Sequence, residues 1–485
     1  MYQKSTKIPR INFYNKEGWN RYYKISNKYA KKIENLVENI SNTNELRRKI
    51  YIVNLEILVR SFGITWEGPG RKRKPKRKDG KAEKELIWEQ NLELDKMLSE
   101  AYSAKGLDAK VYKLKQLIQG PKIKAPEPMC INDPETGCLI TDVEEIKLVS
   151  LKHNEKILSK NPQRKEDKEE HRRIEEYHFN IMNSKNKDWR LNRELFNKVL
   201  ERIKSKRKKM FDPLNKSGDL YKDAIYKYME KIINSENIPD AFKNTRLTQI
   251  WKKKGSALDL NNMRFIHMRS WEAKLCEALV TEQMKKAIVD ACPNIQIGGM
   301  PGSSSTEHLL TLKTWMLMKE TFRQDGIFQV FDMAKFFDKE SLLDVMYTLS
   351  TKAKISNKSY RLWHQLNEDT KISVLTSVGE TDSVTVKNSI GQGGMAAALA
   401  SSLNIGCAVA ETFKSHSSSS IGEIPLNSLI LQDDISKIND TLEDARKGCK
   451  MLDSTLKRKL LSVNYDKSKF LVIGSNKYRN KILHD

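Results

Sequence analysis

The chain has 485 residues, 39% of them hydrophobic, which is enough for a sizeable core and more than one typical domain needs. Its 87 Lys and Arg against 62 Asp and Glu leave a net charge of +25, which implies a polyanionic partner, most simply nucleic acid. No apolar run reaches the roughly 20 residues of a membrane span, the start Met1-Tyr2-Gln3-Lys4-Ser5 has no hydrophobic stretch of a signal peptide, and six cysteines without Cys-x-x-Cys or zinc-knuckle spacing read as free thiols of a reducing compartment.

From Tyr22 to Arg60, Ile33, Leu36, Val37, Ile40, Leu46, Ile50, Val53, Leu55 and Leu58 recur at helical spacing among charges, which predicts helices packed on one another. A linker over 68–81 follows. It carries Arg71, Lys72, Arg73, Lys74, Lys76, Arg77 and Lys78 around Pro75, a density of unopposed charge that suits a nucleic-acid arm or a nuclear-import signal. A helical region over 83–119 closes an N-terminal extension, 1–120. Residues 121–194 then form a second linker and charged helices. Within them Asp133-Pro134-Glu135-Thr136-Gly137 is a turn, and Thr141-Asp142 followed by Glu144-Glu145 is a capping signal for a helix through Leu151.

Gly326-Ile327-Phe328-Gln329-Val330-Phe331 reads as a buried strand that delivers Asp332 at its carboxyl end, with Asp338 capping a helix that begins near Lys339. Asn388-Ser389-Ile390-Gly391-Gln392-Gly393-Gly394 is a glycine-rich loop opening an Ala-rich helix, where backbone can approach a ligand closely. The run Leu429-Ile430-Leu431 leads to Gln432-Asp433-Asp434 and then Ile435-Ser436-Lys437-Ile438, a strand-turn-strand unit with two acids at its tip. Two Mg²⁺ ions roughly 3.5–4 Å apart need carboxylates converging from separate elements, so Asp332, Asp433 and Asp434 are the candidate ligands. Mn²⁺ accepts the same oxygen donors.

Taken in order, the strand ending in Asp332-Met333-Ala334-Lys335-Phe336-Phe337-Asp338, the Gly391-Gln392-Gly393 loop and the Leu431-Gln432-Asp433-Asp434 hairpin resemble the palm motifs of reverse transcriptases, and most closely those of non-LTR (LINE-type) retrotransposons. In that family Asp-x-x-x-Ala-Phe-Asp precedes Gln-Gly and an x-Asp-Asp hairpin; here Phe336 replaces the Ala. Asn262-Met263-Arg264-Phe265-Ile266 resembles the family's Tyr-Arg-Pro-Ile element, and Lys274-Leu275-Cys276-Glu277 its Lys-x-x-Glu helix. Gln296-Ile297-Gly298-Gly299-Met300-Pro301-Gly302 with Ser305-Thr306 is similar to its Gln-x-Gly-Phe-Arg-x-Gly-x-Ser-Thr stretch, with Gly299 and Met300 in place of Phe and Arg. Val463-Asn464-Tyr465-Asp466-Lys467 looks like the element that follows the hairpin.

The resemblance implies an α+β right-hand polymerase with fingers over 195–325 and palm over 326–485. The palm is expected as a small antiparallel sheet with helices on one face, built from the Phe328, Val374 and Val384 strands, the Leu429 hairpin and the Phe470 strand. It implies an RNA-directed DNA polymerase that extends a DNA primer on an RNA template with dNTPs, without a membrane partner. The implied roles are metal ligation by Asp332, Asp433 and Asp434, assistance to the leaving pyrophosphate by Lys467, and dNTP binding by Lys253, Lys254, Arg264, Gln392 and Gly393. Phe337 is expected beneath the sugar, excluding a ribose 2′-hydroxyl, and Gln296 and Gly298 against nucleic acid. The motifs run out soon after Lys467, so a thumb largely missing is expected, and no endonuclease is visible. The alternative is a polymerase-derived nucleic-acid-binding protein that no longer extends primers. A nuclear location, or a cytoplasmic ribonucleoprotein, would suit either.

Overall fold

The computed structural model of the chain describes residues 8–10, 16–62, 65–67, 130–158, 168–184, 188–205, 209–252, 255–334, 336–386, 390–391, 393–414, 416 and 419–474. The basic segment 71–78, the helix expected over 83–119, and Lys253, Lys254 and Gln392 lie outside them. The chain divides into two compact units, one of residues 1–128 with 190–241, the other of 129–189 with 242–485.

In the first unit, strands β1 (Ile8–Arg10) and β2 (Thr65–Glu67) pair antiparallel and flank the helices Lys16–Asn39 and Thr43–Phe62. These are the helices expected from the apolar spacing. A three-residue link turns the chain back, and the Asn42 side chain accepts the Glu45 N–H at 3.1 Å, satisfying one of the donors orphaned at the start of the second helix. Trp19, near the start of the first helix, meets Phe62, at the end of the second, edge to face at 4.8 Å. Gly18 is required at that crossing, because a Cβ there would lie 2.4 Å from the Phe62 ring. Helix Asp219–Ser235 joins them through Tyr221, whose hydroxyl bonds Asn54 at 2.7 Å.

The second unit opens with β3 (Ile131–Asn132) and β4 (Leu139–Ile140), a short antiparallel pair around the Asp133 turn. Helix Val143–Leu158 follows, its first turn bonded by Asp142, which accepts the N–H groups of Glu144 and Glu145. A mixed sheet contains β5 (Thr245–Trp251), β6 (Met263–Met268), β8 (Thr370–Thr376), β9 (Gly379–Glu380) and β10 (Val384–Val386) in the order β10-β8-β5-β6, with β9 on β8. Beyond a small hairpin of β11 (Ser420–Ile421) and β12 (Ile424–Pro425), an antiparallel sheet runs β13-β14-β7-β15, from β7 (Gly326–Met333), β13 (Ser428–Leu431), β14 (Asp434–Asn439) and β15 (Val463–Ile473). The fold is therefore mixed α and β, with the Phe328 strand, the Leu429 hairpin and the Phe470 strand in one sheet as expected.

The Val374 and Val384 strands are a correction to that expectation. The Val374 strand, β8, pairs with β5 and the Val384 strand, β10, pairs with β8, so both join the mixed sheet and not the acid-bearing one, because their inward side chains Ile372, Val374 and Val386 complete a core with Leu158, Leu247 and Phe265. Helix Phe336–Lys339 takes in Asp338, and the following helix, Leu342–Thr351, is capped by Ser341, whose hydroxyl accepts the Asp344 N–H. Asp338 thus precedes the cap by three residues. Nor is the second face of the acid-bearing sheet left bare. Phe331, Met333, Ile430, Ile435 and Val463 pack one face on Ile405, Val409, Leu452 and Leu456 from helices Ala397–Thr412 and Leu442–Arg458. On the other face Trp315, from helix Ser305–Thr321, covers Leu429, Ile438 and Ile473.

Strand alternation supplies both faces, since neighbouring residues such as Leu429 and Ile430 point opposite ways. Ile430 is fully buried between sheet and helices, so Ile430→Ala is expected to destabilise the second unit by about 2–5 kcal/mol in urea denaturation. Leu310→Ser, on a side chain 64% exposed, is expected to stay within about 0.5 kcal/mol of the parent.

Candidate active site

The three acids are brought to one end of the antiparallel sheet by strand register. Ile435 stands opposite Phe331 and Ser436 opposite Val330, so one step further along the same ladder Asp434 faces Asp332. Asp433 sits beside them in the two-residue turn between Leu431 and Asp434, which are themselves paired. Asp332 and Asp434 share the sheet face that Trp315 covers at its far end, which leaves the acidic end of that face unroofed by the helix.

The electrostatics follow from this crowding. Burial pushes the Asp433 carboxyl above its ordinary pKa, Asp434 and Asp332 push it further, and the Arg264 guanidinium on β6 pulls it back. Asp434 is raised as well, by burial first and then by Asp332. Two cationic side chains look onto the group. Arg264 is exposed on β6, and Lys467 Nζ comes within 3.9 Å of Asp332 Oδ2. Lys467 reaches Asp332 because β15 bulges between Asn464 and Lys469. Ser468 braces that bulge, donating to the Asn464 carbonyl at 2.8 Å and accepting the Asp332 N–H at 3.2 Å.

All-carboxylate oxygen donors suit a hard divalent cation, and a cation would relieve the mutual repulsion that raises Asp433 and Asp434. Among the described residues, however, no group of three or more His, Cys, Asp or Glu side chains stands close enough together to hold a metal ion. The donor chemistry fits; the carboxylates are neighbours, not a closed cage.

Of the other expected residues, Phe337 is half-buried, edge to face with Phe336 at 5.2 Å, and packs on the core beneath the acidic end of the sheet. Gly393 is exposed with φ +104, a conformation glycine adopts freely, and a Cβ there would lie 3.4 Å from Ile266 on β6. The expected nucleic-acid contacts of Gln296 and Gly298 need correction. Gln296 is 2% exposed and its carboxamide is spent inside the protein: Oε1 accepts the N–H groups of Gly298 and Gln432 at 2.8 and 3.0 Å, and Nε2 donates to the Gln432 carbonyl at 3.1 Å. Gly298 lies against the hairpin, where a Cβ would fall 2.0 Å from Gln432 N. Neither presents a group to a bound strand.

The glycine loop has its own support from helix Trp271–Ala291. Lys274 Nζ donates to the Gly393 carbonyl at 2.6 Å and Glu277 Oε1 accepts the Met395 N–H at 2.8 Å. Gly391 closes on His267, whose Nδ1 would lie 2.4 Å from a Cβ at that position. In the sequence the Lys-x-x-Glu pair stands out by resemblance alone. The available signal was its spacing: positions i and i+3 share one helix face, so an ammonium and a carboxylate there can grip the carbonyl and N–H groups of one loop.

No known protein family and no curated protein matches the sequence. Among solved structures, the chain is similar to apo telomerase from Candida tropicalis truncated from its C-terminal domain, at 14% identity and TM-score 0.38 over 73% of this chain and 94% of that one. It is also similar to apo telomerase from the same organism, at 14% identity and TM-score 0.37 over 70% and 67%.

A carboxylate whose pKa is raised on folding binds its proton more tightly in the native than in the unfolded state. Its ionised form therefore costs stability above the folded pKa, and the cost is relieved as pH falls through that value. Asp433→Asn is expected to raise Tm at pH 7–8 without divalent metal, with a gain that shrinks toward pH 4; a uniform shift at every pH would contradict a carboxyl raised by burial and by its acidic neighbours.

Proposed function

We propose that this chain is an RNA-directed DNA polymerase of the non-LTR retrotransposon type, extending a primer 3′-hydroxyl with deoxynucleotides. The observation that carries the reading is the register of β14 on β7, which sets Asp332 across from Asp434 beside Asp433, with Arg264 and Lys467 directed at the same group. Phosphoryl transfer needs carboxylates to hold metal and cations to clamp the triphosphate while pyrophosphate leaves.

In this proposal Asp332 and Asp433 would be the main ligands of Mg²⁺, or of Mn²⁺ in its place, with Asp434 a weaker third. Bound there, the metal would supply charge stabilisation for the attacking and leaving oxygens. Arg264 would bind the triphosphate from the β6 side, joined by Lys253 and Lys254, and Lys467 would face the pyrophosphate. Phe337 would lie under the sugar and disfavour a 2′-hydroxyl. Gly393, held in place through Lys274, would let the backbone come close to the incoming nucleotide, with Gln392 beside it. The basic run Arg71–Lys78 would add non-specific, salt-sensitive affinity for the template and primer backbones.

A second reading, a nucleic-acid-binding protein derived from a polymerase, is favoured by one observation: the three carboxylates do not close into a metal-holding group among the described residues. Among the described residues no helix is long and apolar enough to cross a membrane. Primer extension on an RNA template annealed to a DNA primer, with dNTPs and Mg²⁺, separates the two. Extension that falls at least about 100-fold in Asp433→Asn, with template binding retained, is expected for the polymerase; tight binding without extension by either protein is expected for the binding module.

A further inference from the structure

The tip of the acidic hairpin is held in an unfavourable backbone conformation by a side chain 136 positions away in sequence. Gln432 is the first of the two turn residues and has φ +60, a region in which the Cβ of an L-residue is crowded and which hairpins of this kind fill with glycine. No local feature of the hairpin explains why Gln432 keeps it. Gln296 does. One carboxamide binds both backbone polar groups of Gln432, accepting from its N–H and donating to its carbonyl, as a neighbouring strand would. The same Oε1 also accepts the Gly298 N–H.

The position of that carboxamide is itself over-determined. Ile430 N–H donates to the Ile295 carbonyl at 2.7 Å and Ile297 N–H to the Ile430 carbonyl at 3.1 Å, so Gln296 forms one parallel bridge with Ile430 on the open edge of β13. The Gln296 side chain continues this ladder past the end of the backbone pairing. Behind it, Gly406 makes the room, since a Cβ there would stand 3.0 Å from the Gln296 Cβ, and Ser402 Oγ ties the Gly298 carbonyl at 2.7 Å.

We propose that Gln296 is a positioning residue for the acidic site: by pinning Gln432 in the left-handed region it sets where Asp433 and Asp434 stand, without itself touching substrate. Its effect on catalysis rests on the polymerase reading; its effect on the hairpin does not. Only a carboxamide offers one donor and one acceptor in this fork, so a carboxylate at 296 would set an acceptor against the Gln432 carbonyl.

Three variants, Gln296→Ala, Gln296→Glu and the double variant Gln296→Ala with Gln432→Gly, test this by two measurements, hydrogen exchange of the hairpin 428–436 and the steady-state kinetics of primer extension. Loss of the clamp is expected to speed exchange of the Gln432 amide by about tenfold or more in Gln296→Ala, and by less in Gln296→Glu, which keeps an acceptor for that N–H and loses only the donor to the Gln432 carbonyl. It is expected to lower kcat by about 10–100-fold while KM for dNTP stays within about twofold in both. Glycine takes a positive φ at no steric cost, so the double variant is expected to recover most of kcat, a rescue that a merely structural role for Gln296 does not provide. Unchanged hairpin exchange in Gln296→Ala and Gln296→Glu, or a double variant as impaired as the single one, would overturn the proposal. If the parent protein extends no primer, faster exchange in the variants still upholds the clamp, and the polymerase reading alone fails.

Discussion

Everything at the candidate site depends on the pairing of β14 with β7. Antiparallel strands read out at a period of two, so a slip of β14 by one residue on β7 would turn Ile435 to the face that carries Asp332 and send Asp434 toward the core. The apolar side chains therefore set the register, and the register sets the acids. Ile435 and Ile438 are completely buried on opposite faces of the sheet, one against the helices Ala397–Thr412 and Leu442–Arg458, the other against Trp315. Because both faces are occupied, the strand is held from two sides, and the cost of holding three carboxylates together is met by packing several residues away.

That cost is visible in the site itself. Asp433 and Asp434 both have their pKa values raised, by burial and by like charge, and the opposing cations come from different elements: Arg264 from the mixed sheet and Lys467 from a bulge in β15. Groups whose charge states are pushed away from their ordinary values tend to mark functional sites, because a fold without use for such repulsion would relieve it with an uncharged side chain. The bulge is part of the same economy. It swings Lys467 toward Asp332 while Ser468 satisfies the backbone that the bulge leaves unpaired.

Helix Trp271–Ala291 and the turn after it organise both loops of the site. Lys274 and Glu277 grip the glycine-rich loop, and five residues past the helix Gln296 grips the acidic hairpin. Small residues make this possible. Gly298, Ser402 and Gly406 let the segment 295–298 lie between the hairpin and the Ala-rich helix at distances no larger side chain allows. Gly299 and Met300 follow directly, Met300 buried and Gly299 exposed with φ +74.

Much of this was legible in the residues. Apolar alternation around Phe328 and Leu429, the acids at strand ends, Asp142 ahead of Glu144-Glu145, and the helical spacing over 22–60 are local patterns with a local physical cause, and each of these elements is found in the structure. What sequence could not assign was partnership across long separations. The Val374 and Val384 strands have the same alternation as the strands beside them in sequence, and only the shape of the core with Leu158 and Phe265 placed them in the sheet of β5 and β6. Gln296 reads as a polar residue next to glycines, free to meet a ligand, until the fold brings Gln432 to it from 136 positions away. Sequence by itself determined which residues carry charge, which segments can be strands or helices, and the order of the acids along the chain. Only the tertiary structure decided which strands are neighbours and which polar groups are already spent on the protein, because hydrogen-bond partners and buried contacts are properties of the packed chain and not of any local stretch of it.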